Sequence, residues 1–346
     1  MADIRVGVLG ASGYTGAELL RLLADHPAVR VIGLTGDRMA GKEIAEIYPH
    51  LATLRLPRLV RIEDLDFGAL DVVFCALPHG TTQAVIRDLP RGLAVVDLSA
   101  DFRLRDPAVY ERVYGHAHEA VERQAEAVYG LCEAYREAIR ATRLVANPGC
   151  YTTTAELPLI PLLREQLIDP DRIVIDAKSG VSGAGRAAKE AMLFCEVSEG
   201  FAAYGVATHR HAPEIDQCLG DFAGRPVQVS FTPHLVPMNR GIFATIYVDL
   251  ARGALPEDLH GALAQAYAEE PFVRVLPMRA LPQTRHVRGS NLCLIAVHPD
   301  RVPGRAILLS VTDNLVKGAS GQAVQNMNIL LGLPETTGLA RQPLFP

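Results

Sequence analysis

A strand, a glycine turn and a helix open this chain, and that order narrows the folds available to it more than any other stretch. Ile4 to Leu9 is a short apolar run. Gly10-Ala11-Ser12-Gly13-Tyr14-Thr15-Gly16 follows at once, and Leu19, Leu20, Leu22 and Leu23 then recur with helical spacing until His26-Pro27. A strand that enters a helix through glycines is the start of a βαβ unit, whose strands pair in parallel. The glycines let backbone approach a diphosphate closely, and the helix N-terminus offers N–H donors to it. The spacing is GxxGxxG, looser than GxGxxG, so the flanking strand and helix carry the reading. Gly10, Ser12, Gly13, Tyr14, Thr15 and Gly16 are the expected dinucleotide contacts; the alternative is a glycine turn with no ligand.

The next strands extend the pattern. Val29 to Leu34 reads as a second strand ending in Thr35-Gly36-Asp37-Arg38, where an adenosine ribose is read. An acid there accepts from a 2′-hydroxyl, and an arginine pairs with a 2′-phosphate. Both stand here, and Arg38 followed by Gly41-Lys42 tilts the choice to NADP(H). Asp71 to Ala76 and Leu93 to Leu98 are near-continuous apolar runs, as buried parallel strands require. Cys75 is expected in the core. The runs end in Pro78-His79 and Ser99-Ala100-Asp101-Phe102-Arg103, which places Pro78, Ser99 and Arg103 beyond strand carboxyl ends, where ligands bind in open α/β sheets. Arg103 suits an anion clamp or a structural ion pair. Residues 106–142 read as a polar, irregular excursion before a strand at Leu144.

Asn147-Pro148-Gly149 is turn chemistry, and Cys150 follows it with a run of hydroxyl residues. A thiol at a helix N-terminus feels the positive end of the helix dipole, which favours the thiolate, the species that attacks carbonyl carbon. The plainer alternative is a small buried apolar residue. Pro158 and Pro161 predict that this helix is short or kinked.

Further on, Arg172 to Ala177 reads as a strand followed by a glycine-rich polar loop, Lys178 to Arg186. Lys178 and Arg186 are candidates for a phosphate or carboxylate, and Ser182 and Gly183 for backbone approach to the cofactor. His209-Arg210-His211-Ala212-Pro213-Glu214 is the densest titratable cluster, offering a proton shuttle, a carboxylate to orient it and a guanidinium. No further ligands stand at zinc spacing, so no metal site is expected. Val227–Pro233, Ile242–Leu250, Val273–Leu276, Asn291–Val297 and Ala306–Thr312 crowd together as strands of a mixed or antiparallel sheet, interrupted by a helix from Pro256 to about Tyr267. One face of such a sheet packs on helices and the other is open to a second subunit. Asn314 and Gly318, candidates for the nicotinamide end of the cofactor, precede a last helix, which is expected to return to the first domain.

Charge and cysteine usage exclude several functions. The 346 residues carry a net charge of −5 with acids and bases interleaved, and no basic block suggests nucleic acid. The 6 cysteines show no CxxC pair, which fits reduced thiols and a cytoplasmic location. The N-terminus lacks the apolar core of a signal peptide, and no apolar run is long enough to cross a bilayer. The expected fold is α/β. Residues 1–149 and 315–346 form a Rossmann-type NADP-binding domain. Residues 150–314 form a catalytic and oligomerisation domain of α+β type.

Taken in order, GASGYTGAEL at the start, VVDLSADFRL at 95–104, NPGCYTT at 147–153, KSGVSGAGR at 178–186, HRHAPEI at 209–215 and KGASGQAVQNMN at 317–328 resemble the N-acetyl-γ-glutamyl-phosphate reductases of arginine biosynthesis, relatives of aspartate-semialdehyde dehydrogenase. The resemblance implies NADPH-dependent reduction of an acyl phosphate. It makes Cys150 the nucleophile and His209, ahead of His211, the acid/base that first deprotonates the thiol and later protonates the oxyanion. Glu214 supports it, and Arg103, Lys178, Arg186 and Arg210 are candidates for holding the substrate's carboxylate and phosphate. It also implies a homodimer or homotetramer. Three other readings stay open from sequence: a reductase of carrier-protein-linked aminoadipyl phosphate in lysine biosynthesis; aspartate-semialdehyde dehydrogenase itself, which HRHAPEI and GASGYTG fit less well; and a non-catalytic NADP-binding sensor.

Overall fold

The computed structural model describes residues 4–346, which fall into two compact units. One runs up to Pro148 and includes Ala319–Ala340; the other comprises Gly149–Gly318 and Arg341–Pro346.

The first unit is built on a parallel sheet of β1 (Ile4–Leu9), β2 (Val29–Thr35), β3 (Leu59–Val60), β4 (Val72–Cys75), β5 (Ala94–Asp97), β6 (Val128–Tyr129) and β7 (Leu144–Ala146). Their order is β3-β2-β1-β4-β5-β7-β6, and every pairing is parallel. Val72–Cys75 and Ala94–Asp97 are buried along their whole length, which explains why they are apolar without alternation, up to Asp97 at the end of the second. The order reverses direction between β1 and β4, the switch point at which α/β sheets open a crevice. Helices α1 (Tyr14–Leu23) and α2 (Thr82–Asp88) belong to this unit, as does the helix Gly321–Leu330.

The stretch 106–142 is more regular than its sequence predicts. It forms α3 (Pro107–Tyr114), a single turn at Val121–Gln124, β6, and α4 (Cys132–Ala141). The termini of α3 compensate for its thin apolar face, in which only Tyr110 is buried. Asp106 accepts from the Ala108 N–H at 2.8 Å, Pro107 opens the helix, and Gly115 closes it at φ 80°.

The second unit carries a mixed sheet of β8 (Ile168–Gly180), β9 (Ala202–Ala203), β10 (Ser230–Val236), β11 (Ile242–Leu250), β12 (Val273–Val275), β13 (Cys293–Pro299) and β14 (Arg305–Thr312), in the order β12-β13-β14-β11-β8-β10-β9. Buried and half-exposed residues alternate along β8, β11 and β14. The buried set faces α5 (Cys150–Arg164), which packs on these strands and on α6 (His211–Ala223) and α7 (Pro256–Ala266). β8 is longer than the sequence predicts and includes Lys178–Gly180, so the glycine-rich loop starts only at Val181.

Pro158 and Pro161 do not shorten α5, which runs 15 residues with both inside it. Pro161 cannot donate to the Leu157 carbonyl. The Tyr267 hydroxyl donates to that oxygen instead, at 2.5 Å.

Candidate active site

In the first unit the parallel strands bring the turns after β1, β2, β4, β5 and β7 to one edge of the sheet. Gly10 stands at φ +74°, and a Cβ there would lie 2.4 Å from the Ala76 carbonyl oxygen. Gly16 is equally closed: its Cβ would meet the Ala11 Cα at 2.6 Å and the Gly10 oxygen at 2.7 Å. The turn is fixed from outside by Thr35, whose Oγ1 accepts from the Gly10 N–H and whose carbonyl accepts from the Ala11 N–H, and by the Tyr48 hydroxyl, which donates to the Ser12 carbonyl. α1 then starts from Gly13 with no side-chain cap and no acidic residue in its first turn. The Cβ position of Gly13 has only the Gly10 oxygen near it, at 3.5 Å, so backbone is accessible where a diphosphate would lie. Tyr14, Arg38 and Pro78 are exposed, whereas Ser99 is buried and bonded through N–H and Oγ to Asp97. Burial raises the Asp97 carboxyl to about 7, against those two bonds.

Arg103 lies in this unit too. Its buried guanidinium donates to the carbonyls of Asn147 at 2.8 Å and Leu98 at 3.2 Å, tying the turn before Cys150 to the end of β5. Asn147 is held further by donation to the Ala319 carbonyl and by the amide of Asn326.

In the second unit Cys150 is the first residue of α5 and partly exposed. Gly318 is buried against it; a Cβ on Gly318 would lie 2.7 Å from the Cβ of Cys150. Glu214, one turn into α6 and buried, accepts through Oε1 from the Gly149 N–H at 2.8 Å and the Thr152 hydroxyl at 2.9 Å. The expected orienting group for His209 is therefore found at the start of α5. The partner on His209 Nδ1 is the backbone N–H of His211, at 3.1 Å. The His209 ring is boxed edge-on by Tyr151, Tyr204, His211 and Phe231, with centroids 4.8–5.6 Å away. Burial, then the neighbouring Arg210, lowers its pKa to about 4.

The remaining candidates divide. Arg186 and Arg210 are exposed. Lys178 lies on the outward face of β8, ion-paired to Asp176 at 2.5 Å, with His234 on the same carboxylate at 3.1 Å. Asn314 accepts from the Gly241 N–H and donates to the Ser182 hydroxyl, which fixes the turn holding Gly183. Among the described residues no group of three or more His, Cys, Asp or Glu is placed to hold a metal ion.

Sequence reading missed Thr35, Tyr48, Tyr151 and Tyr204. The Tyr204 hydroxyl donates to that of Tyr151, which donates to the His234 carbonyl. Tyr151 carried a signal in its place directly after Cys150, and Thr35 in its place at the end of the second strand; Tyr48 and Tyr204 carried none.

The comparisons with known proteins agree across the whole chain. Residues 5–142 match the semialdehyde dehydrogenase NAD binding domain, and residues 150–314 the semialdehyde dehydrogenase dimerisation domain. An N-acetyl-gamma-glutamyl-phosphate reductase of Rhodospirillum rubrum is 64% identical over 99% of both chains. The chain belongs to the N-acetyl-gamma-glutamyl-phosphate reductase family. A probable chloroplastic member of that family from Arabidopsis thaliana is 61% identical over 99% of this chain and 86% of its own. Among solved structures, aspartate semialdehyde dehydrogenase II of Vibrio cholerae, complexed with ASA, superposes with a TM-score of 0.72 at 18% identity, covering 96% of this chain and 99% of that one. At that identity the likeness shows the fold, which the reductase family shares.

Proposed function

We propose that the chain reduces N-acetyl-L-glutamyl 5-phosphate to N-acetyl-L-glutamate 5-semialdehyde and phosphate, with NADPH as reductant, in arginine biosynthesis. The observation that carries this reading is a partly exposed cysteine at the first position of α5, one residue from a tyrosine packed on His209. The Cys150 thiolate attacks the acyl carbon, the bond to phosphate oxygen breaks, and a thioester remains. NADPH, when bound, supplies the hydride that reduces it. The resulting oxyanion collapses to the aldehyde and returns sulfur as thiolate. N–H groups in the first turn of α5 and the His209 ring stabilise that oxyanion. Glu214 is a positioning residue for the start of α5. Arg186 and Arg210 meet the substrate's anionic groups.

The glycine cradle fits a dinucleotide, because Gly10 and Gly16 admit no side chain and Gly13 leaves the start of α1 open. Gly10 to Gly16 hold the diphosphate, Arg38 the 2′-phosphate, and Pro78 and Ser99 flank the ligand at the strand ends. The outward face of the mixed sheet, with Val174 40% exposed beside half-exposed Phe243, Tyr247 and Ile307, seats a second copy of the chain in a homodimer or homotetramer. A nucleophilic thiol requires reducing conditions, in keeping with the cytoplasm.

The reverse reaction tests this assignment. The protein is mixed with N-acetyl-glutamate 5-semialdehyde and NADP⁺, and NADPH absorbance is followed with and without phosphate. Phosphate-dependent NADPH formation is expected. Its absence, with NADP⁺ binding intact, defeats the assignment.

A further inference from the structure

We propose that Asp313 and Gly318 are positioning residues for Cys150: a wide turn built on Asp313 sets the backbone of Gly318 against the nucleophile and limits where its side chain can stand. The proposal rests on the reaction assigned above and names two residues that act on its nucleophile.

Gly318 meets Cys150 at closer range than any side chain would permit. A Cβ on Gly318 would lie 2.7 Å from the Cβ of Cys150, 3.2 Å from its Cα and 3.3 Å from the Asp313 carbonyl oxygen. Gly318 lies outside the left-handed region, so the demand for glycine here is one of space. The Gly318 backbone fills one flank of the Cys150 Cβ, and the thiol cannot swing toward that side.

A π-turn, Val316–Ser320, carries Gly318 to this place. The Asp313 carbonyl accepts from the Gly318 N–H at 2.9 Å, five residues on, and from the Val316 N–H at 3.1 Å. An α-helical turn would close on the fourth residue, Lys317, whose long side chain could not stand where a glycine does. The extra residue in the ring widens the turn, a feature that recurs at functional sites.

The side chain of Asp313 locks the residue whose carbonyl closes that ring. It is buried, with Oδ1 accepting from the Leu315 N–H at 2.9 Å and Oδ2 from the Gly289 N–H at 2.7 Å. The Arg240 guanidinium stands 3.5 Å from Oδ2. A carboxylate out of water is costly unless its oxygens are bonded and its charge is faced, and here both conditions hold. Lys317 pins the turn as well: it is buried, and its ammonium lies 5.8 Å from the centre of the Phe272 ring. A second link reaches Cys150 from the same stretch. The Thr154 hydroxyl donates to the Cys150 carbonyl at 2.9 Å, so the Thr312 hydroxyl, 2.6 Å away, donates to that of Thr154. Residues 312–318 therefore bracket the first turn of α5, by hydrogen bonds at the Cys150 backbone and by contact at its side chain. Attack on an acyl carbon depends on the place of the sulfur to within about 1 Å, which is what such a bracket controls.

Three variants of the full chain test this, each assayed where circular dichroism shows it folded. Gly318→Ala pushes on Cys150 directly. Its kcat in the reverse reaction should fall about 10²-fold, with the KM for N-acetyl-glutamate 5-semialdehyde and the Kd for NADPH within about twofold. Alkylation of Cys150 by iodoacetamide, followed on its own peptide by mass spectrometry, should slow about 3–10-fold, with its pH midpoint moved by less than about 0.3 unit. Asp313→Ala should also lose about 10²-fold in kcat, and Asp313→Asn, which keeps an acceptor for the Leu315 N–H, should recover about tenfold of it. Gly318→Ala decides the matter if neither Asp313 variant folds. A structural role alone would lower the urea midpoint and leave kcat and the alkylation rate of the folded chain unchanged. A folded Gly318→Ala chain within about threefold of wild type in both therefore overturns the proposal. So does an NADPH Kd raised about tenfold with alkylation unchanged, which would assign Gly318 to the cofactor. Wild-type protein without phosphate-dependent turnover would defeat the reaction assigned above, and the alkylation rates would still decide whether Gly318 places Cys150.

Discussion

α1 and α5 begin in the same way and hold different things at their starts. Each is entered from a parallel strand, through a turn whose N-cap is an extended glycine, Gly13 or Gly149. Neither has a side-chain cap or an acidic residue in its first turn, so each keeps the positive end of its dipole for an anion. At α1 the space beside Gly13 is open and Tyr14 comes first. At α5 a thiol comes first, and a carboxylate from another helix, Glu214, holds the turn behind it. One helix start suits a resting anion and the other a transient oxyanion. The residue at the first helical position, and the rigidity behind it, separate binding from chemistry.

Substitutions can break that comparison on one side at a time. Cys150→Ser replaces a thiol by a far weaker acid and should reduce turnover by about 10⁴-fold or more. NADPH affinity, read by fluorescence titration, should stay within about twofold; near-normal turnover would remove the covalent route. Gly16→Ala drives a methyl into the backbone of Ala11 and Gly10. It should weaken NADPH by about 10–100-fold in calorimetry, while Cys150 keeps its alkylation rate. Loss of both would mean that the unit had unfolded instead. Glu214→Gln leaves the shape and removes the charge behind α5; about tenfold lower turnover is expected, with about 1–2 kcal/mol lost in urea unfolding. Arg38→Ala should raise the Kd for NADPH about tenfold and leave NADH unchanged, and equal losses would take Arg38 off the 2′-phosphate.

The smallest effect sharpens the contrast with a third helix start, that of α6, which His209 caps. Its pKa, lowered to about 4 from 6.5, means that the folded chain binds fewer protons than the unfolded chain in this window. His209 therefore contributes stability that is full above about pH 6.5 and is lost as pH falls toward 4. Asp97, raised to about 7, and Asp216, raised to about 6, have the opposite sign, their contribution fading as pH rises. The net curve is shallow, so the difference between wild type and His209→Asn is the informative quantity. Its slope should approach about 1.4 kcal/mol per pH unit at most, positive with pH.

Local features were legible wherever their cause was local. Ile4–Leu9 and the glycines after it announced a parallel sheet, and the observed strand has the expected limits. Cys150 and the Asn-Pro-Gly turn before it were visible for the same reason. The reading weakened where a partner came from far along the chain. Nothing near Glu214 shows that its carboxylate meets Gly149, 65 residues away. Lys178 read as a loop cation because glycines follow it, yet pairing with His234 and Phe243 keeps it in β8. In 106–142 the Asp-Pro start and glycine stop of α3 were present, but a single buried tyrosine gave too faint an apolar stripe for its helix to show.

The bond from Tyr267 to the Leu157 carbonyl also constrains how this sequence can change over time. Phenylalanine at 267 would strip that carbonyl of its donor while Pro161 stands. Alanine at 161 would bring an N–H of its own to the same oxygen. Each residue sets the tolerance of the other, so a lineage leaving this pair must replace the proline first. In the reverse order it passes through a destabilised ancestor.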